Sequence, residues 1–151
     1  EGAYRPSRKL TSIQTNLAIK AETVLDCVRY LNSNAVIFKS TGGVHVAAIC
    51  KSDGTLLAFA EDVGRHNAVD KVIGKSALKG YDLSQCFLAL SGRLTADIVQ
   101  KAVVAGLPIV ASLAAAVDSG IEVARQAKLT LIGFARGKRM NIYSSSERIV
   151  L

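Results

Sequence analysis

Residues 86–90, Cys-Phe-Leu-Ala-Leu, form an unbroken apolar run with no polar alternate. A run this short reads as a strand covered on both faces, which requires a sheet with helices above and below it. The run ends in Ser91-Gly92-Arg93. A helix follows from near Thr95, with Ile98, Val99, Ala102 and Val103 on one face and a stop at Gly106 before Pro108. Pro108–Ser112 repeats the short buried run. Ser119 and Glu122 then stand at capping-box spacing for a helix reaching about Lys128. Leu129–Phe134 reads as a further strand, Arg136–Arg139 as a basic turn, and Met140–Tyr143 as an edge strand. Strands alternating in this way with helices imply α/β architecture, a three-layer α/β/α sandwich around a mixed sheet.

Upstream, EDVGRHNAVDKVIG at 61–74 reads as strand, turn and helix. Ala68, Val69, Val72, Ile73, Ala77 and Leu78 recur at helical spacing, opposite Asp70, Lys71 and Lys75. Val44–Cys50 and Thr55–Ala60 read as a hairpin turning at Lys51–Gly54. Before it, Thr11 and Gln14 stand at capping-box spacing ahead of a long amphipathic helix. That helix would bury Leu17, Ala21, Val24, Leu25, Val28 and Leu31, with Cys27 beside the stripe, and break at Asn32-Ser33-Asn34. Ala35–Ser40 reads as a short helix in preference to a short strand, and Thr41-Gly42-Gly43 as a turn. Residues 1–10 form a polar, basic lead-in and residues 11–151 one domain, without internal repeats.

Half of the 151 residues are hydrophobic but only 5% are aromatic and none is Trp, so the core is aliphatic. Nineteen Lys and Arg against twelve Asp and Glu leave a charge of +7, which suits a phosphate-bearing partner: a nucleotide, a nucleic acid or an acidic protein. Cys27, Cys50 and Cys86 are odd in number and stand at no metal-binding or redox spacing. They point to buried thiols in a reducing, cytoplasmic compartment. The most apolar stretch, residues 102–117, is broken by Gly106 and Pro108 and cannot span a bilayer as one helix; no membrane role is expected.

In a sheet of this kind ligands collect where strands end and helices begin. Three such places recur: Glu61–Asn67, Ser91–Thr95 and Phe134–Arg139. If adjacent strands carry them, Asp62, Arg65, His66, Arg93, Arg136 and Arg139 converge on one cleft. Arginine forks match phosphate oxygens, and a helix start offers free N–H groups to an anion. The competing reading is an ordinary helix cap, surface ion pairs and, for residues 136–139, a solvated loop. Gly137 would let backbone approach a ligand. His45, on an alternating strand, is either a satisfied interior histidine or a site residue. Cys50 and Cys86 read as structural thiols.

Four segments in order, TGGVHVAAI (41–49), EDVGRHNAVDKVIG (61–74), SGRLTADIVQKA (91–102) and GFARGKRMNIY (133–143), resemble the formate dehydrogenase accessory protein family from about residue 10 onward. The resemblance implies a cytidine-deaminase-like fold and a sulfur carrier, or sulfurtransferase, serving formate dehydrogenase. Such a protein passes sulfur from a cysteine desulfurase to the molybdenum bis(molybdopterin guanine dinucleotide) cofactor. It implies a cofactor-binding segment at Phe134, Ala135, Arg136, Gly137, Lys138 and Arg139. To the same pocket it adds Asp62, Gly64, Arg65, His66, Asn67, Gly92, Arg93 and His45. A guanine nucleotide would be a partial mimic of the cofactor, and a homodimer is plausible. The family's persulfide cysteine belongs to a CxxC-type motif that this chain lacks. That departure reads as truncation to a C-terminal domain, and no catalytic cysteine is assigned to Cys27, Cys50 or Cys86.

Two other functions stay open. A generic phosphate or nucleic-acid binder would use the +7 charge and lose affinity steeply with salt; the scattered Lys and Arg speak against nucleic acid. A nucleobase deaminase would need a zinc ligand set. The helix starts GRHN and SGRLT offer one His, no Cys pair and no HxE, so no metal site is expected.

Overall fold

The computed structural model describes residues 11–34 and 43–151. The readings made for residues 1–10, 35–40 and 41–42 lie outside them. A six-stranded mixed sheet runs in the order β3-β2-β4-β5-β6-β7. Its strands are β2 (His45–Lys51), β3 (Leu56–Asp62), β4 (Cys86–Leu90), β5 (Ile109–Ser112), β6 (Thr130–Arg136) and β7 (Arg139–Ser144). Strands β4, β5 and β6 are parallel, and the hairpin strands β2 and β7 run against their neighbours. Helix α1 (Ala21–Asn34) lies on one face. Helices α2 (Arg65–Leu78), α3 (Ala96–Ala105) and α4 (Asp118–Ala127) lie on the other.

The apolar runs explain the layering. Successive strand residues point to opposite faces. Val46, Ala48, Phe87, Ala89, Ile109 and Ala111 therefore meet Val24, Val28 and Leu31 of α1, while Ala47, Ile49, Leu88, Leu90 and Val110 meet α2–α4. All five residues of β4 are buried. The three-layer α/β/α reading holds, and β7 is the expected edge strand.

Two local expectations fail. Residues 11–18 form no helix; α1 begins only at Ala21, so Thr11 and Gln14 cap nothing. This segment is drawn off by long-range pairing instead. Ile13 N–H donates to Ala127 O (2.7 Å). Strand β1 (Ile19–Lys20) pairs in parallel with β8 (Ile149–Val150), a small sheet the sequence reading missed. Likewise Ser119 lies inside α4, whose N-cap is Val117 with no side-chain cap. There the entry is fixed by backbone, Val117 N–H donating to Leu94 O (3.2 Å).

The outer edge of β3 is covered by its own helix. Lys75 Nζ of α2 donates to Phe59 O (2.8 Å) and Lys71 Nζ to Glu61 O (3.2 Å). Ammonium groups laid along a sheet edge oppose pairing with another strand.

Arg148, only 5% exposed, ties the terminal segments to the sheet. It donates to Pro108 O (3.3 Å), Lys128 O (2.5 Å), Thr130 Oγ1 (3.2 Å) and Ile13 O (3.3 Å). A lysine cannot fork to four separated acceptors. We expect Arg148→Lys to lower stability by about 2 kcal/mol, because buried carbonyls lose their donors. Urea unfolding measures this, and an unchanged midpoint would refute it.

Candidate functional site at the carboxyl edge of the sheet

Register brings the strand ends together. His45 lies opposite Asp62, Ala47 opposite Leu90, and Leu90 beside Ser112. The amino end of β2 and the carboxyl ends of β3, β4 and β5 therefore share one edge of the sheet. Ser91 fixes β4 to β2 there: its N–H donates to Val46 O (3.1 Å) and its Oγ accepts from Val46 N–H (3.0 Å). The same Oγ stands 3.5 Å from His45 Nδ1.

Gly92 lets α2 close onto this edge. A Cβ at Gly92 would lie 3.0 Å from Arg65 Cβ and 3.3 Å from both Arg65 Cδ and His45 Nδ1. Its carbonyl accepts a hydrogen bond from Ser112 Oγ (2.5 Å). Arg65, the first residue of α2, has its Nε buried without a hydrogen-bond partner. A guanidinium donor placed so is costly unless some acceptor reaches it. Burial and, secondarily, Arg65 push the His45 imidazole below its ordinary pKa, which favours its neutral form. The positive charge here belongs to arginine.

The third strand end is a bulge. Between Gly133 and Arg136 the β6–β7 register shifts, and Phe134 takes φ 50, in the left-handed region. That conformation costs about 1–3 kcal/mol for a side chain of this kind. Phe134 N–H donates to Ala114 O (3.0 Å), holding the bulge against the loop after β5 while the ring stays 42% exposed. Arg136 Cζ sits 6.0 Å from the ring centroid, and its Nε donates to Leu113 O (3.0 Å). From α1, Arg29 donates through Nη2 to Gly137 O (3.4 Å). Arg29, Ser91, Leu113, Ala135, Arg136 and Gly137 border a cavity of about 440 Å³ that opens between α1 and the sheet edge.

The expected site residues therefore divide. His45, Arg65 and Gly92 are in contact, and Ser91 joins them to the cavity of Ala135, Arg136 and Gly137. Phe134 flanks that cavity, while Lys138, Arg139 and Arg93 are exposed beside these elements. Asp62 is committed within its own turn. It accepts from Gly64 N–H (2.9 Å) and Asn67 Nδ2 (3.2 Å) and pairs with Lys71 (2.7 Å). The Gly64 hydrogen bond, then Lys71 and Asn67, lower its carboxyl to a pKa of about 2. His66 lies elsewhere, in a groove of about 610 Å³ with Ile73, Asp97, Lys101 and Val104 of α2 and α3. Arg29 and Leu113 were missed. Arg29 follows Asp26 at i,i+3 like any solvated helix pair (3.3 Å), so nothing local marks it.

The model of the FdhD/NarQ family matches residues 3–150. The chain belongs to that family. Over 138 residues it is 44% identical to the sulfur carrier protein FdhD of Methanothermobacter thermautotrophicus, covering 91% of this chain and 55% of that one. The same identity and length hold for the FdhD of Thermoplasma acidophilum, at 91% and 49%. The chain thus spans about half the length of the curated relatives it matches. A crystal structure of a proposed formate dehydrogenase accessory protein from Desulfotalea psychrophila superposes with TM-score 0.86 at 29% identity, covering 96% of this chain and 63% of that one.

The deaminase-like fold holds as well. The diaminohydroxyphosphoribosylaminopyrimidine deaminase/5-amino-6-(5-phosphoribosylamino)uracil reductase of Thermotoga maritima matches with TM-score 0.60 at 17% identity, over 76% of this chain and 37% of that one. That likeness concerns architecture alone. Among the described residues no three His, Cys, Asp or Glu side chains are grouped to hold a metal, and no helix is long and apolar enough to cross a membrane.

Proposed function

We propose that this chain is the cofactor-binding part of an FdhD-type sulfur carrier that serves formate dehydrogenase, seating the guanine nucleotide end of the molybdenum bis(molybdopterin guanine dinucleotide) cofactor at the sheet edge. The observation that carries the proposal is Arg65 Nε, buried and unpartnered against His45 and Gly92, beside the cavity that holds Arg29 and Arg136. A phosphate supplies the acceptor that Arg65 lacks, and Arg136 stands ready for a second. Phe134, held out by its left-handed bulge, offers a ring face to a purine. A cavity of about 440 Å³ holds the nucleotide end and leaves the rest of the cofactor outside.

In this reading the cofactor is the substrate that receives sulfur in the whole protein, and this chain binds and orients it. The sulfur comes from a cysteine desulfurase, the setting is cytoplasmic, and residues 11–151 act as one domain. The relatives' description as sulfur carriers supports the reading.

Calorimetric titration with GDP, with ADP as control, tests it at moderate salt. We expect GDP to bind in preference to ADP, and Arg136→Ala and Arg139→Ala each to weaken it about tenfold, the loss of one charge-assisted contact. Equal affinity for GDP and ADP would reduce the site to generic phosphate binding, and affinity unchanged in both variants would take the basic turn out of it.

A further inference from the structure

We propose that Cys27 and Cys50 form a dithiol site that reduces small disulfides, with Cys27 attacking and Cys50 resolving. The site is separate from the arginine cluster, at the opposite end of β2 from His45. Cys27 projects from α1 and Cys50 from β2, and both line a cavity of about 450 Å³ beside the β2–β3 turn. Cys27 is 8% exposed and Cys50 2%. Two thiols from different elements thus border one cavity and belong to the same core cluster.

The thiols are not equivalent. A hydrogen bond from Cys50 lowers the Cys27 pKa, against burial and the nearby Asp26 and Asp53 carboxylates. That same hydrogen bond, with burial, pushes the Cys50 thiol up. The Cys27 thiol donates to Gly54 O (3.6 Å), which fixes its side chain at the turn; it gives up this hydrogen bond when it ionises to attack. Cys27 is the more exposed of the two, so an incoming disulfide meets it first, and its thiolate is the attacking nucleophile. The third thiol, Cys86, is absent from this lining. It donates to Asp82 O (3.4 Å) and is raised by burial, so it serves as an internal control.

The step balances. The Cys27 thiolate attacks one sulfur of a disulfide RSSR, forming a mixed disulfide and releasing RS⁻. Cys50 then gives up its proton and attacks Cys27 Sγ, expelling the second RS⁻. The protein dithiol is oxidised to a Cys27–Cys50 disulfide, and RSSR is reduced to two thiols. The charged groups in the lining are Asp26, shared with Arg29 at 3.3 Å, and Asp53. They select a cationic or neutral disulfide over an anionic one.

Treatment of the folded chain with cystamine, followed by intact-mass and peptide mapping, tests the proposal. We expect the wild type to lose two hydrogens, keep no adduct, and yield a Cys27–Cys50 linked peptide with Cys86 free. Cys50→Ala should retain one cysteamine on Cys27, and Cys27→Ala should react at least about tenfold more slowly. Dithiodiglycolate should react about tenfold more slowly than cystamine with the wild type. Reaction only after unfolding in urea, equal labelling of Cys86, or a stable wild-type adduct on Cys27 would overturn the dithiol site. Equal rates with the two disulfides would overturn the charge selection. The wild-type peptide map decides the pairing even if a variant fails to fold.

Discussion

Gly120→Ala is expected to destabilise the chain by about 3 kcal/mol or more, the upper range for forcing a carbon into packed space. For a chain of this length that lowers Tm by about 10 °C. Gly120 lies in the first turn of α4, and a Cβ there would stand 2.2 Å from Leu94 O, a backbone atom with no rotamer to yield. Leu94 is itself held. It bridges to Ala116, its N–H donates to Ala115 O (3.0 Å), and its carbonyl accepts from Val117 N–H. The substitution therefore pries apart the loops after β4 and β5, which floor the candidate site. Gly74→Ala is the contrasting case. It lies in α2 with nothing within 4 Å of a Cβ, so alanine should stabilise by about 0.5–1 kcal/mol through helix propensity. Scanning calorimetry of both variants reads the two signs, and a Gly120→Ala melt matching the wild type would refute the collision.

Arg65→Ala should weaken GDP binding about a hundredfold, near the upper limit for one charge-assisted contact. Its Nε is buried and without a protein partner, so removing the side chain takes away the donor assigned above to the ligand. For the same reason the free protein should lose little stability, since no internal hydrogen bond of that Nε is broken. The separation of the two effects distinguishes binding from structure. Unchanged GDP affinity in a folded Arg65→Ala variant would remove Arg65 from the site. A large fall in the urea midpoint would show that it serves packing instead.

The sheet was legible wherever burial was continuous along the chain. CFLAL at 86–90 is β4 to the residue, and the helical face of Ile98, Val99, Ala102 and Val103 is buried as read. In both cases the pattern is local and the covering layers only confirm it. The site was less legible because its parts depend on angles and distant partners. Arg65 and His66 are adjacent in the string, yet successive helical residues point about 100° apart. One therefore meets Gly92 and the other turns into the groove between α2 and α3. Phe134 owes its left-handed backbone to a bulge held by Ala114, and Arg29 reaches Gly137 across 108 residues. The helix expected after Thr11 forms with its expected buried face but starts only at Ala21: Ile13 and Ile19 find partners at Ala127 and Ile149, which no local pattern announces.

The Arg148 clasp also has a meaning in time. Arg148 and Ile13 are 135 positions apart, so their contact closes a loop nearly as long as the chain. Loop-closure entropy makes such contacts among the last to form, after the parallel core has collapsed. An interaction absent from the folding transition state acts on the escape rate and leaves the entry rate nearly untouched. The clasp is then a latch that sets the lifetime of the native state, and so how often a protease finds the segments around Ile13 and Arg148 open.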